Sequence, residues 1–390
     1  MDFAFTKEQE RFRRELREFL ERELASQLAN IPVDQWIRGI SRQFSRKVAE
    51  KGWIGLTWPR EYGGKGLSYL DRLIYTEEML RYGAPVALHW MAERQIGPSL
   101  IAYGTEEQRR EFLPRIMNGE VMFCIGMSEP EAGTDLASLR TRAIEDGDDF
   151  VIEGQKVWTS GAHVADYCWL VVRTDPDVPK HKGISEIIVD LKLPGITIRP
   201  LEDLTGAHDL TEVFFDSVRV PKRYLVGTKN RGWYQIIAQL DYERSGIERL
   251  MSNYPLLHDL LAFVKEAKPS GGPSGDDPRV RQRLIQLRVE FEVGRLLCYR
   301  VAWLLSQEVI PNYEAAMAKA FCTEYEQRLA NTATQVIGLY GQLVPGSKWV
   351  PLAGRAVANY LYSPCYTIQG GTSETLRNIV AQRGLKLPVG

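Results

Sequence analysis

The chain has 390 residues, of which 44% are hydrophobic and 25% charged, a composition and length that suit two or three soluble globular domains better than one core. Its net charge of −1 gives no pull toward nucleic acid or an anionic membrane surface. Five scattered cysteines without a CxxC pair, and five histidines without metal-ligand spacing, speak against a disulfide frame and a bound metal and suit the reducing cytoplasm.

The chain opens on "MDFAFTKEQERFRRELREFL", an amphipathic helical pattern. It has neither the features of a signal peptide nor any apolar run of about 18 residues, so no membrane insertion is expected. "KEQERFRRELREFLERELA" and "EEQRREFLPRIMNGE" place apolar residues at threes and fours, which predicts helices. The pattern then changes. "DDFVIEGQKVWTSG", "YCWLVVRT", "ISEIIVDL", "ITIRPLED" and "TEVFFDSVRV" are short β-branched and aromatic runs between turn residues. Helical patterns return from Gly232, interrupted by "KPSGGPSGDDP", Lys268 to Pro278, which reads as a loop. The fold class expected is α+β and multidomain. It comprises a helical N-terminal domain (residues 1–122), a middle β-barrel or sandwich (123–232) and a C-terminal four-helix bundle (233–390).

Three stretches stand out. In "GMSEPEAGTDLAS", Gly126 to Ser138, hydroxyls and small residues crowd the passage from helix to sheet. Ser128, Gly133 and Thr134 suit phosphate or heterocycle binding, and equally an Asx-type turn. In "GQKVWTSGAHVADY", Trp158 sets a π-surface beside Thr159 and Ser160, suited to a ring cofactor or to a β-domain core. In "SPCYTIQGGTSETLRNIV", Gly370 and Gly371 precede a helical stretch and allow close backbone approach by a carbonyl or phosphate. Neither glycine carries a reactive group.

Together with "FFDSVRVPKRYLVG", "NRGW", "TQVIGLYGQL" and "IQGGTSETLRNIVAQR", these stretches resemble the acyl-CoA dehydrogenase family over nearly the whole chain. The resemblance implies FAD. Ile125, Met127 and Ser128 would line the flavin, with Gly133 and Thr134 toward the ribityl, the pyrophosphate and the substrate. Trp158, Thr159 and Ser160 would flank the isoalloxazine. Gln335 and Gly338, in "QVIGL", match a segment that reaches a neighbouring subunit's cofactor, and Thr372 and Glu374 match FAD contacts. The implied reaction takes a proton from Cα and a hydride from Cβ of an acyl-CoA thioester, leaving the trans-2-enoyl thioester.

Many relatives carry the base as a Glu just before the Gly-Thr of the last loop, where this chain has Gly370. The Gly370 backbone N–H still suits the thioester carbonyl, with Gly371 beside it, but the acid must come from elsewhere. A second family pattern places it in "LD-x-ER", here within "GWYQIIAQLDYERSGIERLM". At about 100° per residue, a continuous helix would set Glu243 in an apolar stripe with Ile236, Leu240, Ile247 and Leu250. Burial there would raise its pKa toward the range of a general base, although a buried Glu–Arg structural pair or a solvated helix face fits the same pattern. Glu243 is the base expected on these grounds, with Glu374 the alternative, although its register matches an FAD contact; Asp241 and Arg244 match positions near the substrate, as do Thr134 and Gly371.

Two departures bear on partners. Relatives place an Arg, and about eleven residues later a Gln, where they reach the partner subunit's FAD. Here Ser252–Pro278 contains no Arg, and Pro278 holds the Gln position. In "PVALHWMAERQIGP", His89, Trp90, Met91, Glu93 and Arg94 fall on a helix that borders the acyl cavity in relatives. It reads either as a determinant of chain shape or as a packed helix with an exposed Glu–Arg flank. The expectation is a cytoplasmic dehydrogenase, a homotetramer or homodimer, that passes electrons to an electron-transferring flavoprotein. The alternatives are an oxygen-using oxidase on the same scaffold, or one subunit of a hetero-oligomer completing a partner's FAD site.

Overall fold

The computed structural model describes residues 4–24, 33–244, 246–266 and 277–388; the side chains of 240–244 are not described. Among the described residues, seven α-helices precede the first strand: α1 (Lys7–Leu24), α2 (Gln35–Arg38), α3 (Arg42–Glu50), α4 (Tyr69–Arg81), α5 (Ala87–Met91), α6 (Gly97–Tyr103) and α7 (Glu106–Met117). Capping boxes start α4, through Ser68 and Asp71, and α7, through Thr105 and Gln108. Eight strands follow: β1 (Phe123–Gly126), β2 (Arg142–Asp146), β3 (Asp149–Ser160), β4 (Tyr167–Arg173), β5 (Ile184–Asp190), β6 (Ile196–Leu201), β7 (Leu210–Pro221) and β8 (Leu225–Val226). Among the described residues the remaining α-helices are α8 (Gly232–Arg244), α9 (Glu248–Met251), α10 (Tyr254–Glu266), α11 (Pro278–Ser306), α12 (Tyr313–Ile337), α13 (Arg355–Tyr366) and α14 (Ser373–Ile379). The α+β plan of helices, sheet and helices is therefore the observed one.

The chain forms two compact units that interleave along the sequence. One holds α3, α5–α7, the whole sheet and α8 as far as Glu243; the other holds α1, α2, α4 and α9–α14. In the first unit the strands run in the order β6-β7-β3-β2-β4-β5-β8, with β1 parallel to β4. Phe150, Ile152, Leu170, Val172, Ile187, Val189, Val213 and Val218 fill its main core. Strands β1 and β2 escaped the sequence reading. The first is only four residues long with no polar alternation, and the second is mostly exposed, with one buried position among its five. Gly97 lies against Trp58, where an added Cβ would come within 1.9 Å of the indole. Gly97→Ala is expected to lower stability by about 1–3 kcal/mol or more through overpacking, measured by denaturant unfolding. A variant as stable as the parent would show that the indole has room to move.

In the second unit α11 and α12 pack together, and α12 carries α13 and α14 against it. Asp277 caps α11 by accepting from the Arg279 N–H, and Pro278 holds the first helical position, where its missing donor is harmless. That is how the helix begins directly after the Gly/Pro/Ser segment, most of which lies outside the described residues. Glu77 of α4, fully buried, accepts from Tyr299 Oη (2.9 Å) and from Arg295 of α11.

One expectation is corrected here. The projection of Gly232–Met251 as one helix fails, because α8 ends at Arg244 and α9 begins at Glu248. Gly246 lies between them, and a Cβ there would overlap the Glu248 carboxylate at 1.5 Å. Glycine weakens helix continuation and permits this close approach. Ile236 belongs to the first unit and Ile247 and Leu250 to the second, so these positions are not carried on one continuous helix.

Candidate active site

In the first unit, the loop after β1 is held from below by a buried ion pair. Lys156, on an inward position of β3 and fully buried, donates to the Met127 carbonyl and to Glu129 Oε1, both at 2.9 Å. Glu129 also accepts the backbone N–H groups of Arg140 (2.6 Å) and Thr141 (2.8 Å). Burial by itself would push the Glu129 carboxyl up, but the Lys156 charge and these hydrogen bonds bring it below its usual value. The Val157 N–H donates to the Ser128 carbonyl at 2.9 Å, tying the loop edge-on to β3. Ala132, Leu136, Ala137 and Leu139 anchor the far side of the loop in a core shared with Ile236 of α8.

This frame leaves the predicted cofactor residues on display. Ile125, Met127 and Ser128 are half-buried, whereas Gly133 and Thr134 are exposed at the loop tip. A Cβ at Gly133 would meet nothing within 4 Å, so the protein's own packing does not require glycine there. Between Lys156 and Thr159 the β3–β7 register shifts, and Trp158 in that irregularity takes φ 60° and stays 62% exposed. Such irregularities re-aim side chains, and a left-handed Trp is strained by about 1–3 kcal/mol. Beside it, Thr159 is buried, with Oγ1 lacking a hydrogen-bond partner; Ser160 is half-buried. An uncovered indole next to an orphaned hydroxyl fits a planar heterocycle with polar edges, as FAD has.

The second unit carries the other predicted residues. Lys319 of α12 is buried, and its Nζ donates to the Tyr366 carbonyl (3.0 Å) and the Gly371 carbonyl (2.7 Å), which fixes the turn after α13. Gly370 and Gly371 have φ 66° and 102°, conformations that glycine adopts without strain. Thr372 caps α14 by accepting the Thr375 N–H. Glu374 is exposed, and its own backbone amide and the Thr372 hydroxyl hold its carboxyl below the usual range, the opposite of a base poised near neutrality. Gln335 is exposed in the last turn of α12, and its Oε1 accepts from Arg283 Nη1 at 2.6 Å. Gly338 follows that helix at φ 72°.

Glu243, Asp241 and Arg244 fall in the last turn of α8, and their side chains lie outside the description. The helix of "PVALHWMAERQIGP" differs from its expectation. It continues from α5 through a π-turn at Ala92–Ile96, and Glu93 and Arg94 are 4% and 3% exposed, so no exposed Glu–Arg flank exists. Trp90 is buried beside them, and His89 is paired with Ser45 Oγ (2.8 Å). Burial pushes the His89 pKa down to about 3, so it stays neutral.

Sequence reasoning missed Lys156, Glu129, Lys319 and Arg283. The first two had a signal: a lone Lys at an inward position of an alternating strand demands a buried carboxylate partner. Arg283 has no local signal: it lies just past Pro278, and only the packing of α11 on α12 brings its guanidinium to Gln335.

The comparisons with known proteins span the whole chain. Family models described as the N-terminal, middle and C-terminal domains of acyl-CoA dehydrogenase match residues 6–120, 124–218 and 230–385. The chain is 36% identical to the acyl-CoA dehydrogenase FadE26 of Mycobacterium tuberculosis, covering 100% of this chain and 99% of that protein. Among solved structures, the "Tcur3481-Tcur3483 steroid ACAD" matches with TM-score 0.90 and 35% identity over 100% of both chains. The ChsE4-ChsE5 complex of M. tuberculosis matches with TM-score 0.89 and 36% identity, again over 100% of both. This chain belongs to the acyl-CoA dehydrogenase family, as an oxidoreductase with FAD as its cofactor.

Proposed function

We propose that the chain dehydrogenates an acyl-CoA thioester to the trans-2-enoyl-CoA, with Glu243 taking the Cα proton and the Gly370 N–H donating to the thioester carbonyl. The α-proton of a thioester is weakly acidic, so a positioned carboxylate and a donor for the charge growing on the carbonyl oxygen are both needed. Bound FAD supplies the two-electron oxidation. Trp158, Thr159, Ser160, Ile125, Met127 and Ser128 hold its ring; Gly133, Thr134, Thr372 and Glu374 serve its polar chain; Thr134, Asp241, Arg244 and Gly371 border the substrate. The observation that carries this reading is the 62% exposed Trp158 beside the unpartnered Thr159 hydroxyl, a surface that a ligand ring would complete.

For the acyl group we propose a ring-bearing, steroid-type chain, supported by the likeness to a protein titled a steroid dehydrogenase at 35% identity. Anaerobic bleaching of the flavin by straight, branched, cyclic, dicarboxylic and steroid-type acyl-CoA thioesters tests this. The steroid-type thioester is expected to bleach fastest, and equal or faster bleaching by short straight chains would overturn the choice. Electrons then pass to an electron-transferring flavoprotein. Rapid reoxidation in air with peroxide release would point instead to an oxidase.

A hetero-oligomer is a second reading, favoured by the two-protein titles of both structural matches and by the lack of Arg in Ser252–Pro278. In either assembly Arg283, bonded to Gln335, stands in as the cation for a neighbouring subunit's FAD.

A further inference from the structure

The helix that bears Glu243 is fastened to the sheet by a buried carboxyl group that the chemistry above does not use. Glu186 lies on β5, opposite Val171 of β4 on one side and Val226 of β8 on the other, and is 1% exposed. Its Oε1 accepts from Trp169 Nε1 at 2.9 Å, and its Oε2 accepts from Gln235 Nε2 at 2.7 Å. Gln235 sits in the first turn of α8, is itself 4% exposed, and also donates to the Val226 carbonyl at 3.2 Å. One side chain of α8 is thereby bonded to two adjacent strands.

The surrounding backbone closes on the same point. A Cβ on Gly227 would come within 2.3 Å of Gln235 Oε1, and one on Gly232 within 2.8 Å of Ser185 Cα. The Asn230 N–H donates to Ser185 Oγ at 2.8 Å. The start of α8 thus has little freedom, and Gln235 lies two turns before Glu243 on the same helix.

We propose that Glu186 is a positioning residue for the dehydrogenation: through Gln235 it sets the rotation and height of α8 and hence the placing of Glu243. This rests on Glu243 being the base.

The pair acts as a clamp only while both carboxyl oxygens accept. Protonating Glu186 turns one oxygen into a hydroxyl whose proton has no acceptor unless the Gln235 amide flips. That flip would set Gln235 Oε1 against the Val226 carbonyl, two acceptors facing each other. The groups bonded to the carboxylate, Trp169 from β4 and Gln235 from α8, are uncharged, and β8 presents Val226. Burial therefore dominates and raises the Glu186 pKa to about 7, against the two hydrogen bonds that favour the anion.

Glu186→Gln keeps the shape and removes the titration; Gln235→Leu removes the bond from the other side. In either variant the α8 amides are expected to exchange hydrogen roughly tenfold faster, with kcat reduced about five- to tenfold and KM changed less than about twofold. The step that Glu186 adds to the wild-type kcat profile near pH 7 is expected to vanish in Glu186→Gln, leaving only the limb that the base Glu243 itself imposes. The double variant should be no worse than either single one. Because the folded pKa lies above the ordinary 4.5, this group's stabilising contribution is full below 4.5 and lost as pH rises through about 7. The melting temperature of Glu186→Gln should accordingly gain on the wild type across that interval.

Unchanged α8 exchange together with an unchanged kcat–pH profile would overturn the clamp, while an inactive Glu243→Gln would still stand. If instead Glu243→Gln bleached normally, the base assignment would fall and the proposed role in catalysis would fall with it. The exchange measurement would then report only whether Glu186 fastens the helix.

Discussion

Glu243→Gln is expected to leave the protein yellow with bound FAD and to slow bleaching by its acyl-CoA about 10²–10⁴-fold. The substitution preserves size and hydrogen-bonding capacity while removing the only function asked of the residue, which is to accept a proton. Substrate binding should change little, so the loss should appear in kcat more than in KM. Glu374→Gln is the control. Glu374 is exposed and held in its ionised form below the ordinary carboxylate range, so its substitution should weaken FAD retention at most and spare most of the bleaching rate per bound FAD. Were Glu374→Gln dead and Glu243→Gln active, the base would have been assigned to the wrong helix.

Lys156→Met is expected to destabilise the protein by about 3–5 kcal/mol and to release FAD on desalting. Methionine fills the space of the lysine stem, so packing is roughly kept. What goes is the cation that holds Glu129 Oε1 and the Met127 carbonyl, both 2.9 Å from Nζ. Glu129 would be left buried, with backbone amides as its remaining donors, and the loop bearing Met127, Ser128 and Gly133 would lose its support. The Glu129→Gln/Lys156→Met double variant should be less destabilised than Lys156→Met, because no uncompensated charge stays inside. Equal stabilities would show that the two groups are not coupled. The pair also has a pH signature. Glu129 titrates below its ordinary 4.5 in the folded chain, so its contribution is present above that value and lost as pH falls through the folded pKa. Denaturant midpoints across that acidic range should fall more steeply in the wild type than in the double variant.

The general plan was legible because periodicity is local. Helical spacing in "KEQERFRRELREFLERELA" and strand runs such as "YCWLVVRT" announce α1 and β4 from a few neighbouring side chains. The cofactor stretch was legible for a different reason: glycine, hydroxyls and an aromatic ring crowd a short span where the chain changes type. Its support was not read, since Glu129 and Lys156 are 27 residues apart and meet only across the sheet. The α8–α9 break was missed as well. A helical wheel assumes continuity, whereas the helix stops at Arg244 and restarts at Glu248, and Gly246 between them sits against the Glu248 carboxylate.

By itself the sequence determined the α+β order, the family resemblance that implies FAD, and the absence of an acid side chain at position 370. The order and the motifs that carry the resemblance depend on residue types and short spacings, which folding does not alter. Tertiary structure alone decided that Trp158 is left uncovered at an irregularity in β3, that Arg94 is inside, that Arg283 meets Gln335, and that Glu186 grips α8. Each of these joins residues distant along the chain or turns on a local backbone twist, and burial and hydrogen bonding between such partners exist only once the chain has folded around them.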